Sequence, residues 1–239
     1  MKRLPILLLT AALFSTSACA QPTSGNLDRK AIEQIVADYI LENPKIIEQA
    51  LIELDRRNDA DMLNAVRAQL ENDDRDATIG PKDAKVTIVE FFDYNCSFCK
   101  QSTAWVRETI DKYPDDVRVV FKELPILERR SKTSRNASIA ALAAARQGKY
   151  PAMHFAMMDA SNLAHERVEA LAKTAGLDIE MWKQDMQDEG FQAQIEDTIR
   201  LAQQMPALNG TPFFVIDDEY VAGADMDKLK RIFEKALNK

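Results

Sequence analysis

The order of apolar and polar residues divides the chain into two regions. Over residues 27–75, Ile32, Ile35, Val36, Tyr39 and Ile40 recur at helical spacing and predict one face of a first helix. The "ENPK" that follows offers Asn43 as an N-cap and Pro44 as a first-turn residue for a second helix. Its stripe is Ile46, Ile47, Ala50, Leu51, Leu54, Met62, Val66 and Leu70. A helix running to about Asn72 spans roughly 40 Å at 1.5 Å per residue, and its stripe must be buried against its own domain or against copies of itself. The segment "ENDDRDATIGPKDAK" reads as a charged linker with a Gly-Pro turn.

From Lys85 the period changes. "VTIVEFFDY" is a nearly continuous apolar run, as in a central buried strand. "KQSTAWVRETIDKYP" predicts a helix and "VRVVFKELP" a second strand. Residues 131–204 read as almost wholly helical. "TPFFVIDDEYVAG" reads as two short strands turning at Asp217-Asp218, and "DMDKLKRIFEKALNK" as a terminal amphipathic helix.

Composition adds the compartment. Lys2 and Arg3, the apolar run to Phe14 and the small residues Ala18-Cys19-Ala20 form a secretory signal peptide over residues 1–20, too short to span a membrane. A lipid-modified Cys19 is the competing reading, but Thr16 stands where such lipoproteins carry Leu. Cleavage leaves a mature chain of 219 residues with net charge −9, Lys2 and Arg3 going with the leader. An acidic chain without a basic stripe argues against nucleic-acid binding.

Cleavage also removes Cys19 and leaves Cys96 and Cys99, in "CSFC", immediately after the first strand. An exported compartment permits their disulfide. So short a loop gives a structural bridge little to stabilise. With only His154 and His165 besides, the chain lacks the spacing of a zinc finger. A redox pair remains. Cys96 precedes a helix whose unpaired N–H groups and dipole favour a thiolate, so Cys96 is the attacking sulfur and Cys99, one turn on, the resolving one. His154, Met153, Met157 and Met158 share a helix and read as core filling.

Strand, CxxC, helix, strand, helical insert, two strands and helix make an α/β chain. "VTIVEFFDYNCSFCK", "VRVVFKELPIL", "NGTPFFVID" and the last helix resemble the DsbA family of thiol:disulfide oxidoreductases, a thioredoxin fold with a helical insertion. The helices before it resemble those of extended, oligomeric members of the suppressor-of-copper-sensitivity protein C (ScsC) kind. The resemblance implies three regions: the leader, an oligomerisation region over 21–75, and a catalytic domain over 76–239. It implies a cis bond before Pro212, facing the cysteines and leaving the Thr211 backbone open to an extended partner. It also implies a proton relay in which Glu90, six residues before Cys96, pairs with Lys122; a solvated Lys122 is the competing reading.

Three functions stay open: a periplasmic disulfide isomerase or reductase, a dithiol oxidase, and a copper(I)-binding protein using Cys96 and Cys99. Thr211, found in isomerase-type relatives, and the N-terminal helices favour the first. The expected partners are cysteine-containing exported proteins, a membrane redox protein that resets the dithiol, and further copies of the chain, as a trimer. No cofactor is expected.

Overall fold

The computed structural model describes residues 28–239; the leader, its cleavage site and Cys19 lie outside the described residues. Contacts divide the chain between Ala50 and Leu51. On the N-terminal side are α1 (Arg29–Glu42) and the start of α2 (Lys45–Glu71). The Asp28 carboxylate caps α1, accepting from Lys30 N–H at 3.4 Å. Asn43, read from the sequence as the cap of the second helix, caps α1 at its C-terminal end: its backbone N–H and its Nδ2 both donate to the Tyr39 carbonyl, each at 2.9 Å. Among the described residues of its unit, nothing covers the apolar stripe of α1. Ile32, Ile35, Val36 and Tyr39 are 43%, 61%, 50% and 58% exposed.

From Leu51 onward the chain forms one α/β unit around a five-stranded sheet of order β1-β3-β2-β4-β5. The strands are β1 (Ala77–Ile79), β2 (Val86–Phe92), β3 (Val117–Glu123), β4 (Phe213–Ile216) and β5 (Glu219–Ala222). The β2–β3 pair is parallel and the others antiparallel. The helix α3 (Ser97–Lys112) connects β2 to β3. The insert comprises α4 (Thr133–Arg146), α5 (Tyr150–Asp159), α6 (His165–Thr174), α7 (Ile179–Asp185) and α8 (Glu189–Gln203), and α9 (Met226–Leu237) ends the chain.

Covered on both faces, β2 needs an apolar residue at nearly every position. Ile88 and Phe92 enter one core with Val119 and Phe121 of β3, Val106 of α3, Leu229 of α9 and the alanines of α4. Val89 and Phe91 enter the second core with Val120, Phe213 and Val215. Leu63, Val66 and Leu70 of α2 are buried in that second core.

The boundary expected near residue 75 falls within this unit. The C-terminal half of α2 belongs to the α/β unit, because a sheet face lined by Val89, Phe91 and Val120 needs an apolar cover. The expected charged linker also contains β1, whose Thr78 lies in register with Val120. Gly80 follows at φ +101°, where an added Cβ would stand 2.0 Å from the Val117 carbonyl oxygen; only glycine lets the chain pass β3 this closely. A three-residue strand whose partner lies some forty residues on leaves almost no local signal.

Candidate active site

The polypeptide leaves β2 through Asp93-Tyr94-Asn95 and enters α3 at Cys96, the N-cap residue. The turn is held by Asp93, whose carboxylate accepts from Asn95 N–H at 2.8 Å, Leu127 N–H at 2.9 Å and Ser134 Oγ at 2.9 Å. These bonds tie the cysteine loop to the start of α4. Both cysteines are free thiols. Cys96 is 8% exposed and Cys99 fully buried beneath it. Phe98, between them, is 58% exposed.

The Thr211–Pro212 peptide is cis and faces the pair: Cys96 Sγ donates to the Thr211 carbonyl oxygen at 3.2 Å. The two thiols are driven apart in acidity. A hydrogen bond from Cys99 leads in holding Cys96 down at about 5, against the opposing effect of burial. The Thr211 side chain and the backbone N–H groups of Cys99 and Phe98 add to it. Burial first, and then the hydrogen bond and charge of Cys96, push Cys99 far up. At pH 7 a thiol titrating near 5 is about 99% thiolate, against about 3% for an ordinary cysteine.

Two carboxylates lie under the loop. Glu90 of β2 and Glu123 of β3 are 1% and 2% exposed. In the parallel register Glu90 stands beside Phe121 and Phe92 beside Glu123, so the two acids share one face of the sheet. Glu123 Oε1 accepts from Tyr150 Oη at 2.8 Å and Tyr94 Oη at 3.1 Å. Tyr94 Oη also lies 3.0 Å from His154 Nδ1. Burial, then the charges of Glu123 and Cys96, raise Glu90 to about 8. Burial likewise raises Glu123 to about 8, against the pull of the Tyr150 and Tyr94 hydroxyls.

A profile described as thioredoxin matches residues 72–235. The chain belongs to the thioredoxin family. A second profile, the N-terminal domain of the copper resistance protein ScsC, matches residues 28–60. Among solved thioredoxin-like structures, an oxidoreductase from Silicibacter pomeroyi is 39% identical, covering 72% of this chain and 98% of that one, with a TM-score of 0.64. A linker-deletion variant of Proteus mirabilis ScsC is 28% identical, covering 93% of this chain and 99% of that one, with a TM-score of 0.66. A Na(+)/H(+) antiporter NhaA 1 of a Mycobacterium species is 34% identical over 149 residues, 60% of this chain and 24% of that protein. The chain spans less than a quarter of the length of the curated relatives it matches.

Within this thioredoxin-family frame, Cys96, Cys99, Thr211, Pro212 and Glu90 converge. Lys122 does not. It occupies the opposite sheet face, where Nζ bonds Asp76 Oδ2 and donates to the Gln69 carbonyl at 2.5 Å. Side chains alternate along a strand, so Lys122 and Glu123 must face opposite ways, and the register gives the Glu90 face to Glu123. The expected Glu90–Lys122 pair is replaced by Glu90 and Glu123 on one face and Asp76–Lys122 on the other.

Sequence reading missed Glu123, Tyr94 and Tyr150. The available signal was the two-residue step from Phe121 to Glu123. His154 is a core residue: burial holds it down at about 3, with Arg107 contributing. Among the described residues no cluster of three or more His, Cys, Asp and Glu is arranged to hold a metal ion.

Proposed function

We propose that the chain is a thiol:disulfide exchange enzyme acting on exported proteins, and that it works as a disulfide isomerase or reductase. The asymmetry between Cys96 and Cys99 carries this reading: an ionised sulfur at a helix N-terminus above a buried, protonated one. The Cys96 thiolate attacks one sulfur of a substrate disulfide. That bond breaks, a Cys96–substrate disulfide forms, and the departing sulfur takes the electron pair and then a proton. In isomerisation another substrate thiolate attacks the mixed disulfide and regenerates Cys96. In reduction Cys99 gives up its proton and attacks Cys96 Sγ. The substrate thiol leaves, and the two electrons of the dithiol have passed to the substrate.

The Cys96–Cys99 disulfide left behind needs an external dithiol, supplied by a membrane redox partner. The backbone at Thr211, beside Cys96, is the edge on which an extended substrate segment would align. Thr211 itself, and the likeness of residues 28–60 to the ScsC N-terminal domain, favour isomerase over oxidase. The leader over residues 1–20 favours a periplasmic site of action, and the uncovered stripe of α1 favours a homo-oligomer, with a trimer as the expected state.

Two assays on the mature protein separate the alternatives: reactivation of an enzyme with scrambled disulfides, and oxidation of a dithiol peptide. The isomerase reading expects the first to proceed with the pair kept reduced. Peptide oxidation without any reactivation would make the protein an oxidase. Inactivity in both, with tight copper(I) binding lost in Cys96→Ser, would leave it a metal-binding protein.

A further inference from the structure

Beneath the cysteines is a carboxylate that the exchange reaction above does not use. Glu123 comes from β3, shares a sheet face with Glu90, and is buried with no lysine or arginine bonded to it. Its Oε1 takes the two tyrosine hydroxyls, while its Oε2 and Glu90 Oε1 are buried without a hydrogen-bond partner. Two unpartnered carboxylate oxygens on neighbouring strands, in a region of low dielectric, cannot both belong to ionised groups. At most one of them ionises as pH rises toward 8, and the hydrogen bonds decide which. The tyrosine donors stabilise Glu123 as the anion. Glu90, with no such donors, keeps its proton longer.

Resting on the exchange reading, we propose that Glu123 is a positioning residue for proton transfer at Cys99: of the two acids it ionises first as pH rises, because Tyr94 and Tyr150 hold its anion, and that anion keeps the proton on Glu90 and makes Glu90 a stronger base once that proton has gone. When Cys99 attacks Cys96 Sγ, its S–H proton passes to the Glu90 carboxylate and the substrate sulfur leaves as a thiolate. When an incoming thiolate opens a Cys96–Cys99 disulfide, the electron pair goes to Cys99 Sγ and the Glu90 carboxyl supplies the proton. Glu90 lies on the strand that leads into Cys96, and its charge acts on Cys99. An acid of ordinary strength would be ionised at neutral pH, with no proton to give and little tendency to take one. Burial, with the charge of Glu123 behind it, corrects this mismatch.

Among the described residues, the surroundings contain no other titratable group of the right kind. From the β2–α3 loop come Asp93, already bonded to two N–H groups and Ser134, and Tyr94. Cys96 caps α3, and from α3 itself come Cys99 and Arg107, the latter paired with Asp159 at 2.9 Å. From α5 come Tyr150 and His154, the latter neutral at working pH; α4 offers only the Ser138 hydroxyl.

The test loads Cys96 of the full chain with thionitrobenzoate and follows its release by Cys99 as a function of pH. Glu123→Gln keeps an acceptor for the tyrosine hydroxyls and removes the charge. Its release profile should move down by about one pH unit, a tenfold change in proton affinity, while the alkylation midpoint of Cys96 stays in place. Glu123→Asp should restore most of the shift. In a Glu90→Gln background, adding Glu123→Gln should change nothing further. Tyr150→Phe, which keeps the ring and removes one donor, should shift the profile the same way by less, and it decides the matter if Glu123→Gln does not fold. Superimposable profiles for these variants, or an undiminished shift without Glu90, would overturn the inference and leave the exchange reading intact. Failure of the wild-type protein to release thionitrobenzoate at any pH would sink the exchange reading itself.

Discussion

Lys122 and Asp76 form an ion pair in which each side chain is 2% exposed, on the sheet face away from the cysteines. The pair joins the centre of the sheet to the segment between α2 and β1, and Lys122 also holds the Gln69 carbonyl near the end of α2. Arg118 Nη2 donates to the Glu71 carbonyl at 2.9 Å, and Arg67 Nη2 reaches Asp217 O at 2.9 Å and Asp218 Oδ1 at 2.7 Å. The second half of α2 is thus fastened by charge as well as by Leu63, Val66 and Leu70.

Removing one partner of a buried pair strands the other charge, at about 3–5 kcal/mol. Lys122→Met should therefore lower unfolding free energy by about that amount, and Asp76→Leu/Lys122→Met should recover most of it. Urea denaturation measures both. Thiol release by Cys99 should keep its pH profile in the double variant; a displaced profile would return Lys122 to the proton relay.

Cys96→Ser should abolish exchange, and Cys99→Ser should accumulate mixed disulfides with substrate proteins, visible on non-reducing gels. Trapped complexes in the Cys96 variant would reverse the two roles. The alkylation rate of wild-type Cys96 should titrate near pH 5, the value set chiefly by the hydrogen bond from Cys99. Thr211→Val removes one hydroxyl near the sulfur and should move that midpoint upward by a few tenths of a pH unit or more. An unmoved midpoint would take the Thr211 side chain out of the site.

Glu90 and Glu123 have folded-state pKa values raised to about 8 from an ordinary carboxylate value. The folded protein therefore binds more protons than the unfolded chain between about pH 4.5 and 8. Stability is full below that window and falls as pH rises through it. Glu90→Gln should flatten the fall, with a gain at pH 8 on the order of 3 kcal/mol. Thermal melts of the dithiol form across this range provide the check, and parallel melting curves for wild type and variant would contradict the burial cost assigned to Glu90.

A chain beginning at Leu51 should fold, because the second core keeps its cover. A chain beginning at residue 76 loses Leu63, Val66 and Leu70 and exposes Val89, Phe91 and Val120, so it should aggregate or melt at a much lower temperature. Light scattering on these forms and on the mature protein reads out association as well. A monomeric mass for the mature protein at micromolar concentration would remove the oligomer from the proposed function.

The sequence by itself determined the order of elements from β2 onward and the place of the cysteine pair between a strand and a helix. Val86–Phe92 announces a strand buried on both faces by its apolar run, and Cys96 announces its position by following that strand and opening a helix. Those signals are local: an apolar period and a two-residue cysteine spacing are complete within a few neighbours. The tertiary structure decided what pairing between distant segments decides. Residues of β3 alternate between two faces, but which face carries Glu123 and which Lys122 depends on the register with β2, and a shift of one residue exchanges them. The stripe of α2 required burial, but an apolar stripe is equally satisfied by another copy or by a sheet. The sheet face of Val89, Phe91 and Val120 claimed its second half, because that face could not be left open to water.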